Sequence, residues 1–384
     1  MNKRISLALL AVALAACSTP YHPPQFLDPG TSFPGLIDLA AQSQGKAVDV
    51  LLVHGICTHD ERWAHDTVAQ LTQSLAVNAP AAAAQPRAGE RAGAPQVQIV
   101  PLPVDTAAGR LRIDALVWSP LTQALKSELC YDLGEKSAQC RGSPPVTATR
   151  ARINGRGKDL LVDDCIADAM IYEGVSHATM VERMRAAVLQ ALDGGDAPVG
   201  VPLVVVSESM GSKYLFDTLL SMSKEAAGSR AAQVAQRTMD RLRYLVMAAN
   251  QIPLLGLGDQ QIDAGLASAV DNAAATAPGG DSLQQLLQLR RARAGAGGIV
   301  PRADAADQRL VLVAFSDPSD LLSYTLQTAK YAGDGIVVYN ILVSNAPTYF
   351  GLFERPDYAH LNYLSNPDVG RLIACGQPIS KLCK

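Results

Sequence analysis

Short apolar runs rich in β-branched residues punctuate the chain and predict strands. Val48 to Val53 (Val-Asp-Val-Leu-Leu-Val), Val97 to Leu102, Leu242 to Ala248, Leu310 to Phe315 and Ile336 to Val343 are such runs. Val204 to Val206 reads as a buried strand, because no polar residue interrupts it. Leu111 to Trp118 fits a strand or a short helix. Elsewhere apolar residues recur at helical spacing. Asp66 to Ala76, Leu160 to Met170, Met180 to Leu192 and the stretch carrying Tyr214, Leu215, Thr218 and Leu219 predict helices. Asp281 to Arg293 predicts a short helix, and Asn366-Pro367-Asp368 opens a last one. Three stretches break the pattern. Asn78 to Pro95 is rich in Ala, Pro, Gly and Arg and predicts a surface loop. The irregular region over 119–157 carries two Cys and Pro144-Pro145 and is a candidate lid. The region over 258–308, dominated by Ala, Gly, Gln and Arg, reads as a loose insertion around the short helix.

The chain has 384 residues, enough for one large α/β domain or two ordinary ones. Its formal net charge of −3 gives no support for nucleic-acid binding. The start changes the picture more. Lys3 and Arg4 precede the apolar run Ile5 to Ala13, then Leu14-Ala15-Ala16-Cys17. That run is too short to span a bilayer, which takes about 20 apolar residues. Leu-Ala-Ala-Cys resembles the lipobox of bacterial lipoproteins. The resemblance implies that residues 1–16 are a signal peptide and that Cys17 is lipidated. It also implies, with Ser18 next, a lipid anchor in the outer membrane facing the periplasm. Residues 17–35, rich in Pro and polar side chains, are expected to form a tether. Seven Cys are present, and setting Cys17 aside leaves an even number in an exported chain, which points to disulfides. Six Cys allow 15 connectivities; the local pairs Cys130–Cys140 and Cys375–Cys383 would close short loops, and that choice would leave Cys57 with Cys165.

The stretch with the most chemistry is Ser207-Glu208-Ser209-Met210-Gly211. It joins the predicted strand at 204–206 to a helix, the context of a nucleophile elbow. So sharp a turn needs small residues two before and two after the nucleophile. Ser209 satisfies this with Ser207 and Gly211, whereas Ser207 would have Val205 behind it. Upstream, the strand at 48–53 runs into His54-Gly55-Ile56-Cys57-Thr58-His59. Downstream, the strand at 310–315 ends in Ser316-Asp317-Pro318-Ser319-Asp320-Leu321-Leu322, and His360 follows the next strand. Ser209, then an acid, then His360 is the chain order of the α/β-hydrolase family.

Over roughly residues 45 to 375 the chain therefore resembles an α/β-hydrolase of the lipase and esterase type. The resemblance implies an α/β fold, a mostly parallel twisted sheet with helices on both faces and a lid-like insertion. Ser209 would be the nucleophile, His360 the base and Asp320 the acid. Asp317 is the alternative acid, closer to the strand end but suited to capping the turn. His54-Gly55 resembles the family's oxyanion loop, so the amides of Ile56 and Met210 would hold the developing negative oxygen. A serine hydroxyl needs a base in reach, and His, with an ordinary pKa of about 6.5, suits that task. The implied activity is hydrolysis of carboxylic esters or lipids through an acyl-enzyme. The same residues could serve an amidase or peptidase, and a non-catalytic envelope lipoprotein using the fold for binding is the rival from another class.

This chemistry calls for no metal or organic cofactor. His54, His59 and His65, with Asp60 and Asp66, invite a zinc reading, but their spacing fits no zinc pattern. His177 is a rival base in the wrong chain order. Asp163, Asp164 and Asp168 cluster on one predicted helix and are expected to form a charged outer face.

Overall fold

The computed structural model describes residues 22–77, 95–132, 140, 150–192, 201–259, 280–295, 309–333, 335–349 and 352–384. Among them the apolar runs become a nine-stranded sheet. In chain order its strands are β1 (Gln25–Phe26), β2 (Val48–Val53), β3 (Gln98–Pro101), β4 (Val104–Thr106), β5 (Gly109–Val117), β6 (Leu203–Glu208), β7 (Leu242–Ala248), β8 (Leu310–Ser316) and β9 (Ile336–Leu342). Their spatial order is β1-β9-β8-β7-β6-β2-β5-β3, with β4 also on β5. All neighbours from β5 through β2, β6, β7 and β8 to β9 are parallel. β1, β3 and β4 pair antiparallel at the margins. The result is an α/β architecture around a mostly parallel, mixed sheet. A small hairpin, β10 (Thr348–Tyr349) with β11 (Phe353–Glu354), follows β9.

The period-2 geometry of strands divides the core. Leu203 and Val205 of β6 join one apolar cluster, while Val204 and Val206 join the other. Every residue of β2 and β6 is buried, which is why both are predominantly apolar, with Asp49, Ser207 and Glu208 the buried polar exceptions. Each large aliphatic side chain so buried contributes about 1.5–3 kcal/mol relative to exposure. One face is covered by α4 (His177–Leu192), α5 (Met210–Ser223), α6 (Arg230–Arg241) and α7 (Ser282–Gly295). The other is covered by α1 (Leu36–Gln42), α2 (Glu61–Thr72) and α9 (Pro367–Cys375). Between these fall α3 (Ala167–Glu173) and α8 (Pro356–Leu361).

Several expectations need correction. The helix expected over Asp66–Ala76 begins at Glu61, because Asp60 caps it by accepting from the Arg62 amide. α6 escapes the apolar pattern because its buried stripe (Ala231, Val234, Ala235, Thr238, Met239) is made largely of small residues. The Pro-rich stretch expected as a tether is part of the folded body from Gln25 onward. β1 adds to the sheet edge, and Phe33 exchanges two backbone hydrogen bonds with Gln377. The segment expected as a signal peptide and Cys17 lie outside the described residues, as do most of the stretch over 258–308 and residues 78–94, expected as a surface loop.

Three disulfides join Cys57 to Cys165, Cys130 to Cys140 and Cys375 to Cys383. The first ties the loop after β2 to the segment preceding α3. That segment, Gly157–Ile166, is π-helical, so its backbone hydrogen bonds span five residues where an ordinary helix spans four. Within the 119–157 insertion Lys126 and Cys130 are buried, whereas Tyr131 and Ile153 are exposed. No described helix is long and apolar enough to cross a membrane.

Candidate functional site

Because the central strands are parallel, the segments leaving β2, β6, β8 and β9 emerge at one edge of the sheet. This is the edge at which open α/β sheets bind ligands. Ser209 stands at the turn from β6 into α5 with φ 51° and ψ −131°. Such a conformation costs a side-chain-bearing residue about 1–3 kcal/mol and persists only when the surroundings impose it. They do so here. The Ser209 amide donates to the Ala248 carbonyl at 2.8 Å, and the Ser212 amide donates to the Ser209 carbonyl at 3.1 Å. A Cβ on Gly211 would overlap the His54 carbonyl oxygen, so the close crossing of the two loops requires glycine there. Ser207 stands two residues before Ser209, where the turn needs a small side chain. Its hydroxyl fits because it meets Ser212 Oγ at 2.8 Å and the Val246 carbonyl at 3.2 Å.

His360, on α8, brings Nε2 to 3.1 Å from Ser209 Oγ. Its Nδ1 lies 3.0 Å and 2.9 Å from the two carboxylate oxygens of Asp320. All three side chains are buried. The Asp320 carboxylate also accepts from the Leu322 amide at 2.9 Å and from the Tyr363 hydroxyl at 2.9 Å. Burial pushes this carboxyl up, but the bond and charge of His360 with the other two donors outweigh it. The net direction is downward, so Asp320 is held ionised. Asp317 does different work. Its carboxylate takes the amides of Ser319 and Asn345, and its carboxyl bonds to that of Glu354. Burial first raises Asp317, against the Asn345 and Ser319 amides and with the charge of Asp320 adding to the rise, while burial and then the charge of Asp317 raise Glu354. Of the two acids weighed from the sequence, only Asp320 touches His360 among the described contacts.

The loop after β2 lies against the same serine. A Cβ on Gly55 would sit 2.7 Å from Ser209 Cβ, so the approach of this backbone depends on glycine. His54 Nε2 accepts from the Trp118 amide at 2.9 Å, which leaves the ring proton on Nδ1, 2.8 Å from the Gly55 carbonyl. Burial first, then the neighbouring His59, holds the His54 pKa well below its ordinary value, and the ring is neutral. Carbonyl and N–H point to opposite sides of a trans peptide, so fixing the Gly55 carbonyl also fixes the Ile56 N–H. Met210 is the first residue of α5, where amides have no partner within the helix. Of the remaining sequence candidates, His59 packs beside His54 and Trp63, and His177 packs on Tyr172. No group of three or more His, Cys, Asp or Glu among the described residues is placed to hold a metal ion.

Sequence reasoning missed Tyr363 and Glu208. Tyr363 bridges the Asp317 amide and the Asp320 carboxylate, fixing the turn that carries the acid. Glu208, beside Ser209, is buried with Oε1 lacking a hydrogen-bond partner. Its pKa is pushed up to about 8, by burial first, against a bond from Trp63 and with the charge of Asp320 adding to the rise. At neutral pH it is therefore protonated. An unfolded Glu releases its proton at about 4.3. Between that pH and about 8 the folded chain keeps a proton that the unfolded chain gives up, and stability falls as pH rises. The slope is at most about 1.4 kcal/mol per pH unit. Glu208→Gln removes this slope. Its melting temperature relative to wild type should rise from pH 5 to pH 8, and an unchanged difference would rule out a neutral Glu208.

Neither a protein-family model nor a curated protein matches the chain.

Proposed function

We propose that the protein is a serine ester hydrolase of the α/β-hydrolase type, cleaving carboxylic esters or lipids. The observation that carries this reading is the buried contact chain from Ser209 Oγ through the His360 imidazole to Asp320. Ser209 Oγ attacks the ester carbonyl carbon while its proton passes to His360 Nε2. Asp320 keeps the imidazole in the tautomer that can accept it and stabilises the imidazolium. The carbonyl π pair moves onto oxygen, where the amides of Ile56 and Met210 stabilise it, each by about 3 kcal/mol. Collapse expels the alcohol, which takes its proton from His360, and water repeats the sequence on the acyl-enzyme. A neutral Glu208 suits this scheme, because an ionised carboxylate beside Ser209 would oppose the oxyanion. The Leu14-Ala15-Ala16-Cys17 motif supports placement in a bacterial envelope on a lipid anchor.

The test is turnover of a short-chain p-nitrophenyl ester with and without a fluorophosphonate. The proposal expects hydrolysis that the fluorophosphonate abolishes progressively with time. Folded protein that never turns over the ester, or whose turnover the reagent leaves untouched, would overturn it. Comparing matched esters and anilides separates an esterase from an amidase.

A further inference from the structure

Beyond Gly55, the loop after β2 is held from outside by a buried ionic cluster. The Cys57 amide donates to Asp168 Oδ2 at 2.8 Å. The Thr58 amide donates to Asp164 Oδ2 at 3.1 Å, and the Thr58 hydroxyl donates to Asp164 Oδ1 at 2.6 Å. One cation grips both acids. Lys126 Nζ is 2.7 Å from Asp164 Oδ1 and 3.0 Å from Asp168 Oδ2, and its side chain is fully buried. This corrects the expectation of a charged outer face, since Asp163 and Asp168 are buried and Asp164 is largely so. The Cys57–Cys165 disulfide ties the loop to the same segment, between the two acids in sequence. Cys57 has φ 79°, a region that a side-chain-bearing residue does not hold unaided.

An amide that stabilises an oxyanion acts only if its position is set before charge develops. In this loop the amides of residues 57 and 58 are taken by carboxylates, and the Gly55 carbonyl faces His54. Resting on the hydrolase reading above, we infer that Asp164, Asp168 and Lys126 are positioning residues for the oxyanion-stabilising amide of Ile56. The carboxylates hold the two following amides and so fix the loop against Ser209. Lys126 offsets their charge, so that negative charge developing at the substrate oxygen is not repelled.

The test compares kcat and KM for an ester with the Ki of a trifluoromethyl ketone carrying the same acyl chain. The ketone carbon bonds to Ser209 Oγ, the serine proton passes to His360, and the π pair becomes an oxyanion on the former carbonyl oxygen. Asp168→Ala should lower kcat and weaken the ketone by about 100-fold each, with KM changed by less than about 3-fold. Asp168→Asn keeps an acceptor for the Cys57 amide and should lose about 10-fold or less. Asp164→Ala, at a partly exposed position, should follow the same split with about a 10-fold loss, and it decides the matter if Asp168→Ala does not fold. Folded variants whose kcat and ketone Ki both stay within about 3-fold of wild type would overturn the inference and leave the hydrolase reading standing. A wild type that neither hydrolyses the ester nor binds the ketone would overturn both.

Discussion

Replacing Ser209 with alanine is expected to lower kcat for a short-chain ester by about 10⁴-fold or more while leaving the fold in place. The size follows from what is removed. Without Oγ no covalent intermediate can form, and His360 Nε2 loses the group 3.1 Å away from which it would take a proton. Only binding and the backbone amides would remain, so some acceleration over water should persist. The fold should survive because the turn is held by backbone bonds and by Gly211 against His54, not by the serine hydroxyl. Steady-state kinetics with a thermal melt of the same sample checks both halves. A variant retaining a tenth of wild-type activity would remove Ser209 from the mechanism.

The second large effect separates two acids three positions apart. Asp320→Asn should lower kcat by about 10³–10⁴-fold, whereas Asp317→Asn should cost less than about 10-fold. The Asp320 carboxylate meets His360 Nδ1 with both oxygens, and an amide there would offer its N–H to the ring and favour the wrong tautomer. Asn at 317 still offers an oxygen to the Ser319 or Asn345 amide, and Asp317 makes no bond to His360. Kinetics of the two variants over pH 6–9 makes the comparison. A larger loss from Asp317→Asn would transfer the acid's role to that residue.

Much of this site was legible because its local demands are severe. A strand that is buried on both faces shows as an uninterrupted run, as at Val204 to Val206. A turn as sharp as the one at Ser209 admits only small neighbours, so Gly211 points to it. What the sequence left open depends on contacts distant along the chain. Asp317 and Asp320 are alike in sequence, and the difference comes from His360, Tyr363 and Glu354, which approach from beyond β9. Asp164 and Asp168 lie four residues apart, a spacing that marks one helix face but not whether it meets water. Their partners, Cys57 and Thr58, are more than a hundred residues away. Glu208 looked like an interchangeable elbow residue, because its burial beneath Trp63 and near Asp320 is a tertiary fact. α6 and β1 were missed for opposite reasons. The first buries mainly small side chains, and the second is two residues long in a Pro-rich stretch.

The central claim is that Ser209, and no other hydroxyl, is activated by His360. Mass mapping of the fluorophosphonate adduct on the disulfide-intact protein tests it most directly. The account predicts one phosphonylated peptide, modified at Ser209, whose labelling is lost in His360→Ala. An adduct at Ser207 or elsewhere, or no adduct on fully folded protein, would contradict it.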